Sequence, residues 1–167
     1  MTVTIRDVEP FQKFDVWVLA FDPPGGMEAF EFSLTVPPGI IVADGRRLCP
    51  GCSDFDFQRD DDPVKKGDNN FIIGTGGVCF ESPGTWMLVR YAGCMSLEPF
   101  ADASFCVNGA APSSFRSREP GYLICSGDSE EDLREFVRAY DGCAVANPTT
   151  IATEHVGWGA MKGRYRQ

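Results

Sequence analysis

A single histidine, His155, stands among 167 residues, so any Ser-His or Cys-His catalytic pair would have to use it. It lies in a tail just after "NPTTIATE", and no G-x-S-x-G elbow occurs in the chain. Cations are scarce as well. Fifteen Lys and Arg face 24 Asp and Glu, for a formal net charge of -9, and such a surface repels the phosphate backbone of nucleic acids. No run of 18 or more apolar residues exists, which leaves no candidate transmembrane helix. The start, "MTVTIRDVEP", has neither the basic opening nor the apolar core of a secretory leader. Acid–base chemistry by two carboxylates is left open by the composition, yet nothing singles out a pair. The expectation is a protein that is not an enzyme and has no nucleic-acid partner.

What is present is two-residue alternation in a chain that is 43% hydrophobic. "FDVWVLAF" (14–21) is strand-like and rich in Val and aromatics. "AFEFSLTV" (29–36) places Phe30, Phe32, Leu34 and Val36 on one face and Glu31, Ser33 and Thr35 on the other, the pattern of a half-buried antiparallel strand. "DPPGG" joins these two, and "PPG" leads into "IIVA". Further strands read at "NFIIGT", "TWMLVRYA", "ASFCVN" and "GYLIC". Short strands separated by Gly, Pro, Asn and Asp clusters predict an all-β fold, an antiparallel two-sheet sandwich. Helical spacing is confined to 126–140, where Ser129 is a candidate cap and Leu133, Phe136 and Val137 recur at helical intervals, predicting one short helix. Residues 1–147 then form the sandwich and 148–167 a C-terminal tail. Trp158, Met161 and Tyr165 of that tail could share one face, beside Lys162, Arg164 and Arg166.

Seven cysteines, Cys49, Cys52, Cys79, Cys94, Cys106, Cys125 and Cys143, are dispersed through loops and strand-like runs. Zinc sites usually show two close pairs of ligands, and only Cys49-Pro-Gly-Cys52 is close here. A redox dithiol needs its first thiol at a helix N-terminus, whereas "SDFDFQRDDDP" alternates like a strand and breaks at Pro63. A local disulfide, or a structural pair involving Cys94, is the better reading. Cys125 and Cys143 flank the expected helix and could bridge, while Cys79 and Cys106 could link neighbouring strands or the two sheets. Seven is odd, so one thiol is left over. Dispersed cysteines in a β-rich chain point to a disulfide framework, hence to an exported protein whose leader is absent and whose Met1 is an added start.

Asp60, Asp61, Asp62 and Asp68 are hard-oxygen donors suited to calcium, though their order departs from the EF-hand loop and Lys65 and Lys66 compete for them. A solvated acidic loop is favoured over a calcium site, and no cofactor is otherwise implied. Asp54 and Asp56, alternating with Phe55 and Phe57, read as the wet face of a strand.

The stretches "FDVWVLAF", "GMEAFEFSLTVPPGI", "DNNFIIGTGGVCF", "PSSFRSREPGYLICSG", "YDGCAVANP" and "WGAMKGRYR" together resemble a group of secreted bacterial proteins with a cohesin-like β-sandwich. Cys79, Cys106, Cys125 and Cys143 sit within these stretches, and Cys49, Cys52 and Cys94 do not. The resemblance implies the fold and export and brings no activity, cofactor or catalytic residue with it. The function expected is an extracellular or cell-surface binding and assembly module. Its partner is another protein or further copies of itself, docked through Trp158, Met161, Lys162, Arg164, Tyr165 and Arg166 into a filament or surface layer; equally open is that Trp158, Met161 and Tyr165 fold back onto their own sandwich. The alternative is a calcium-stabilised carbohydrate-binding module. It needs exposed aromatics; Trp17 faces away from Val16 and Val18, and Trp86 lies in a hydrophobic run.

Overall fold

In a computed structural model, residues 3–54, 68–110, 113, 119–125, 136–138 and 142–149 are described, and they form eleven strands in two sheets. In chain order these are β1 (Val3–Ile5), β2 (Phe14–Phe21), β3 (Ala29–Thr35), β4 (Ile40–Leu48), β5 (Ser53–Asp54) and β6 (Asp68–Gly74). There follow β7 (Thr85–Ser96), β8 (Ala103–Asn108), β9 (Gly121–Leu123), β10 (Phe136–Arg138) and β11 (Gly142–Ala146). The large sheet runs β1-β11-β8-β3-β6-β5, and β9 shares one edge of β3 with β8 while carrying β10 outside it. The small sheet is β2-β7-β4, antiparallel throughout. Among the described strand pairs, β1 with β11 is parallel and the rest are antiparallel.

The all-β sandwich expected from the alternation is the observed architecture. In β2, Phe14, Val16 and Val18 turn inward, as do Val89 and Tyr91 of β7. They meet Phe30, Phe32 and Leu34 of β3, Phe71 and Ile73 of β6, and Phe105 of β8. Edge-on ring contacts join the layers, Phe14 to Phe105 at 6.0 Å between centroids and Phe71 to Tyr91 at 6.3 Å. Phe71 also stacks on Phe32 at 4.9 Å, with the Arg46 guanidinium 4.9 Å from its centroid. Each such fully buried ring contributes roughly 1.5–3 kcal/mol through the apolar area it removes from water.

Three expectations need correction. Glu31 and Ser33 are not on a wet face: both are buried, and Gly109 and Ser113, from the chain after β8, meet them. Ser33 Oγ donates to the Gly109 carbonyl at 3.0 Å, and Ser113 Oγ donates to Glu31 Oε1 at 2.5 Å. The helix expected over 126–140 falls mainly outside the described residues, but its last part, Phe136–Arg138, is a strand paired antiparallel with β9. A short run of aromatic and β-branched residues satisfies either period, and an available strand edge selects the extended form.

The third correction concerns sulfur. Cys125 and Cys143 do not bridge each other; Cys79 joins Cys125, Cys106 joins Cys143, and Cys49 joins Cys52. Cys106 and Cys143 face each other directly in the β8–β11 register, so their bond links neighbouring strands. Cys79–Cys125 fastens the turn after β6 to the end of β9, over Gly26. A Cβ at Gly26, where φ is +71°, would lie 2.7 and 2.8 Å from the two sulfurs, so only glycine fits beneath this bond. Cys94 is the free cysteine, buried in β7, and desolvation followed by the nearby Asp15 charge pushes its thiol up to about 12.

Candidate functional site

The inward residues of β2 fix the outward ones, since successive side chains alternate. Asp15, Trp17, Leu19 and Phe21 therefore share the solvent face of the small sheet, and the last three are 49%, 40% and 63% exposed. Register with β7 sets Trp17 beside Arg90, Leu19 beside Met87 and Phe21 beside Thr85. On the far side of β7, Arg90 stands opposite Arg47 of β4. The result is an apolar row along one strand, flanked by two guanidinium groups.

Arg90 is held over this row rather than released to solvent. Its Nε and Nη2 donate to Asp15 Oδ2 at 3.0 and 2.5 Å, and its guanidinium carbon lies 5.0 Å from the Trp17 ring centroid. Asp15 Oδ1 accepts the Gly93 N–H at 3.0 Å. That backbone donor, followed by the Arg90 bonds, holds the Asp15 carboxyl below its usual range. Gly93 has φ +67°, and a Cβ there would collide with the Asp44 carboxylate, so this donor geometry requires glycine. Asp44 is itself tied to Lys13 at 2.8 Å.

The strand bearing this row is also a sheet edge. Among the described residues no strand pairs with the second edge of β2. Phe14 packs on Phe105 of β8, which is followed in the large sheet by β11 and then β1, and Ile5 at the end of β1 is 41% exposed.

No protein-family model matches the chain, and no curated protein matches it. Among solved structures it is similar to the seventh ScaB type I cohesin from Pseudobacteroides cellulosolvens, with a TM-score of 0.48 and 9% identity over 93% of this chain and 95% of that one.

A second feature lies where the chain leaves β11. Asn147, at φ 50°, donates through Nδ2 to the carbonyls of Val8 (2.9 Å) and Phe100 (3.3 Å) and accepts the Val8 N–H through Oδ1 at 3.0 Å. Asp102 then accepts the Thr149 hydroxyl at 2.6 Å and its N–H at 2.7 Å, and these bonds, the hydroxyl first, lower the Asp102 pKa. A cleft of about 370 Å³ opens here between Arg6–Pro10, Pro99–Ala101 and Asn147–Thr149. The start of the C-terminal segment is thus pinned near the first residue of β2, through Phe100, whose ring lies 6.4 Å from that of Phe14.

Of the residues the sequence singled out, the cysteines are placed as above. Asp60, Asp61 and Asp62 lie outside the described residues, as do the side chain of Asp68 and all of Trp158, Met161, Lys162, Arg164, Tyr165 and Arg166. Among the described residues no group of three or more His, Cys, Asp or Glu is placed to hold a metal ion. Trp86 is partly buried and stacks on Phe80 at 4.8 Å, leaving Trp17 as the exposed indole of the two. Leu19, Phe21 and Arg90 were missed, although counting by twos from Trp17 along "FDVWVLAF" finds Leu19 and Phe21.

Proposed function

We propose that this protein is a non-catalytic, extracellular binding and assembly module that recognises a polypeptide, and that its C-terminal segment joins one copy to the next. The observation that carries the reading is the solvent-facing row Trp17, Leu19 and Phe21 on an open strand. Adjacent exposed large apolar side chains on a sheet face mark contact surfaces, and an open edge offers main-chain hydrogen bonds to a partner. Three disulfides fit an oxidising compartment. The composition is asymmetric: residues 150–167 hold Lys162, Arg164 and Arg166 against the single acid Glu154, whereas the whole chain carries a net -9. An acidic body and a basic, aromatic segment on one chain favour head-to-tail contact.

The test uses the full chain. Trp158, Met161 and Tyr165 are changed together to serine, and molar mass is followed by light scattering over a hundredfold concentration range. The native chain is expected to grow in mass with concentration and the variant to stay monomeric; equal behaviour of the two removes the tail from the assembly.

A calcium-stabilised carbohydrate-binding module is a second reading, supported by the exposure of Trp17. Arg90 already covers that indole, which leaves less of it for a sugar ring. A glycan array without hits, and a melting temperature indifferent to calcium and chelator, would dismiss this alternative.

A further inference from the structure

β2 is eight residues long, lies at an edge, and presents Trp17, Leu19 and Phe21 to solvent. Long apolar edges are normally shortened, charged or covered, because their free N–H and C=O groups template another strand. The one charged residue on the outward face of β2, Asp15, is engaged by Arg90 and Gly93, so it does not act as a repelling gatekeeper. We infer that this edge is the acceptor for residues 150–167 of a second copy, added antiparallel as a fourth strand of the small sheet, with Trp158 packed over the Trp17–Phe21 row. The inference rests on the assembly reading above and names the surface that reading leaves open.

Composition suits the segment to the role. Thr150, Ile151, Thr153 and Val156 are β-branched, the type that fits a pleated surface, and Trp158 follows in alternation with Val156. At ~3.3 Å per residue, half of the segment is enough to span β2.

Direction decides whose segment it is. Asn147 and Asp102 pin the chain exit at the Phe14 end of β2, so a molecule's own segment would enter that edge parallel to β2. Every pairing in the small sheet is antiparallel, and parallel pairing is the weaker form. A segment from another copy carries no such restriction. Running antiparallel, it brings Lys162, Arg164 and Arg166 to the Phe14 end, where the exposed Asp7, Glu9, Glu98 and Asp44 outnumber Arg6 and Lys13.

Complementation tests this. The acceptor variant is Leu19→Lys with Phe21→Lys, both at exposed positions, with an unchanged far-ultraviolet spectrum and melting temperature as the check on folding. The donor variant is the triple serine substitution at 158, 161 and 165. Each alone should remain monomeric at concentrations where the native chain assembles. An equimolar mixture should form one-to-one pairs and nothing larger, since each molecule retains one working half. If the acceptor variant assembles like the native chain, the β2 edge is not the acceptor, while tail-mediated assembly stands. A mixture that fails to pair also overturns the inference. If the donor variant assembles normally, or the native chain is monomeric throughout, both the inference and the assembly reading fall.

Discussion

Replacing Cys79 and Cys125 together by alanine removes a link across a sequence separation of 46, and doing the same at Cys106 and Cys143 removes one across 37. In the chain-entropy treatment these loops restrict the unfolded chain by about 4 kcal/mol each, whereas the Cys49–Cys52 bond, separated by 3, contributes about 1.6 kcal/mol. The two long loops interleave, since Cys106 lies between Cys79 and Cys125, and Cys125 lies between Cys106 and Cys143. The route from 79 to 125 through the other bridge is as long as the direct one, so neither bond pre-empts the other. With a urea slope of about 2 kcal/mol per molar, each long-range pair should lower the unfolding midpoint by about 2 M and the short pair by under about 1 M. Urea titration of the three double variants, each with its remaining disulfides verified by peptide mapping, checks this. A Cys49–Cys52 loss equal to the others, or a long-range loss below about 1 kcal/mol, would refute the argument that unfolded-state restriction sets the ranking.

Gly26→Ala places a methyl against both sulfurs of Cys79–Cys125 at a left-handed φ, and should cost more than the ~1 kcal/mol of the backbone effect alone, read as a shift of the urea midpoint. Phe71→Ala empties a fully buried site between Phe32 and Tyr91 and should destabilise by about 3–5 kcal/mol by the same titration. Asp15→Asn should cost about 0.5–1 kcal/mol at neutral pH, the scale of a part-exposed ion pair. Because the folded pKa of Asp15 lies below its ordinary 3.8, its stabilisation is complete above 3.8 and disappears as pH falls through the folded value; the stability curves of the native chain and of this variant should therefore converge in acid. Cys94 should resist Ellman's reagent at pH 8 until denaturant is added, being buried with its thiol pushed up to about 12.

The strands were legible where one periodicity acted alone. "FDVWVLAF" and "ASFCVN" coincide with β2 and β8, because alternation and β-branched content agree and turn residues bound them. β3 shows where this fails. Its alternation identifies Phe30, Phe32 and Leu34 correctly, but a polar residue reads as wet whether water or another segment covers it. The partners that bury Ser33 and Glu31 lie 76 and 82 residues away. Sulfur pairing is hidden for the same reason. Cys125 and Cys143 are near in sequence, yet one follows β9 and the other lies in β11, and strand order rather than spacing brings each to its partner. The candidate site falls between these cases: the alternation of β2 defines a row containing Trp17, and only the sheet order reveals that the row lies on an edge.

That sheet order also separates where the molecule is clamped from where it can be met. Cys106–Cys143 ties two strands of the large sheet, Cys79–Cys125 ties loops beside it, and Cys49–Cys52 closes the turn from β4 into β5. None of the three reaches β2 or β7, whose cysteine is the free Cys94. The small sheet is therefore held by side-chain burial and by one ladder on each side of β7, and among the described residues β2 has that ladder on one edge only. Among the described residues no strand pairs with its other edge, so an added strand would exchange hydrogen bonds there at little net cost, and covering Trp17, Leu19 and Phe21 would supply the gain. A strand that is incompletely paired but rigidly presented over a cross-linked sheet loses little conformational freedom on binding, which is the condition under which a short extended segment can be held.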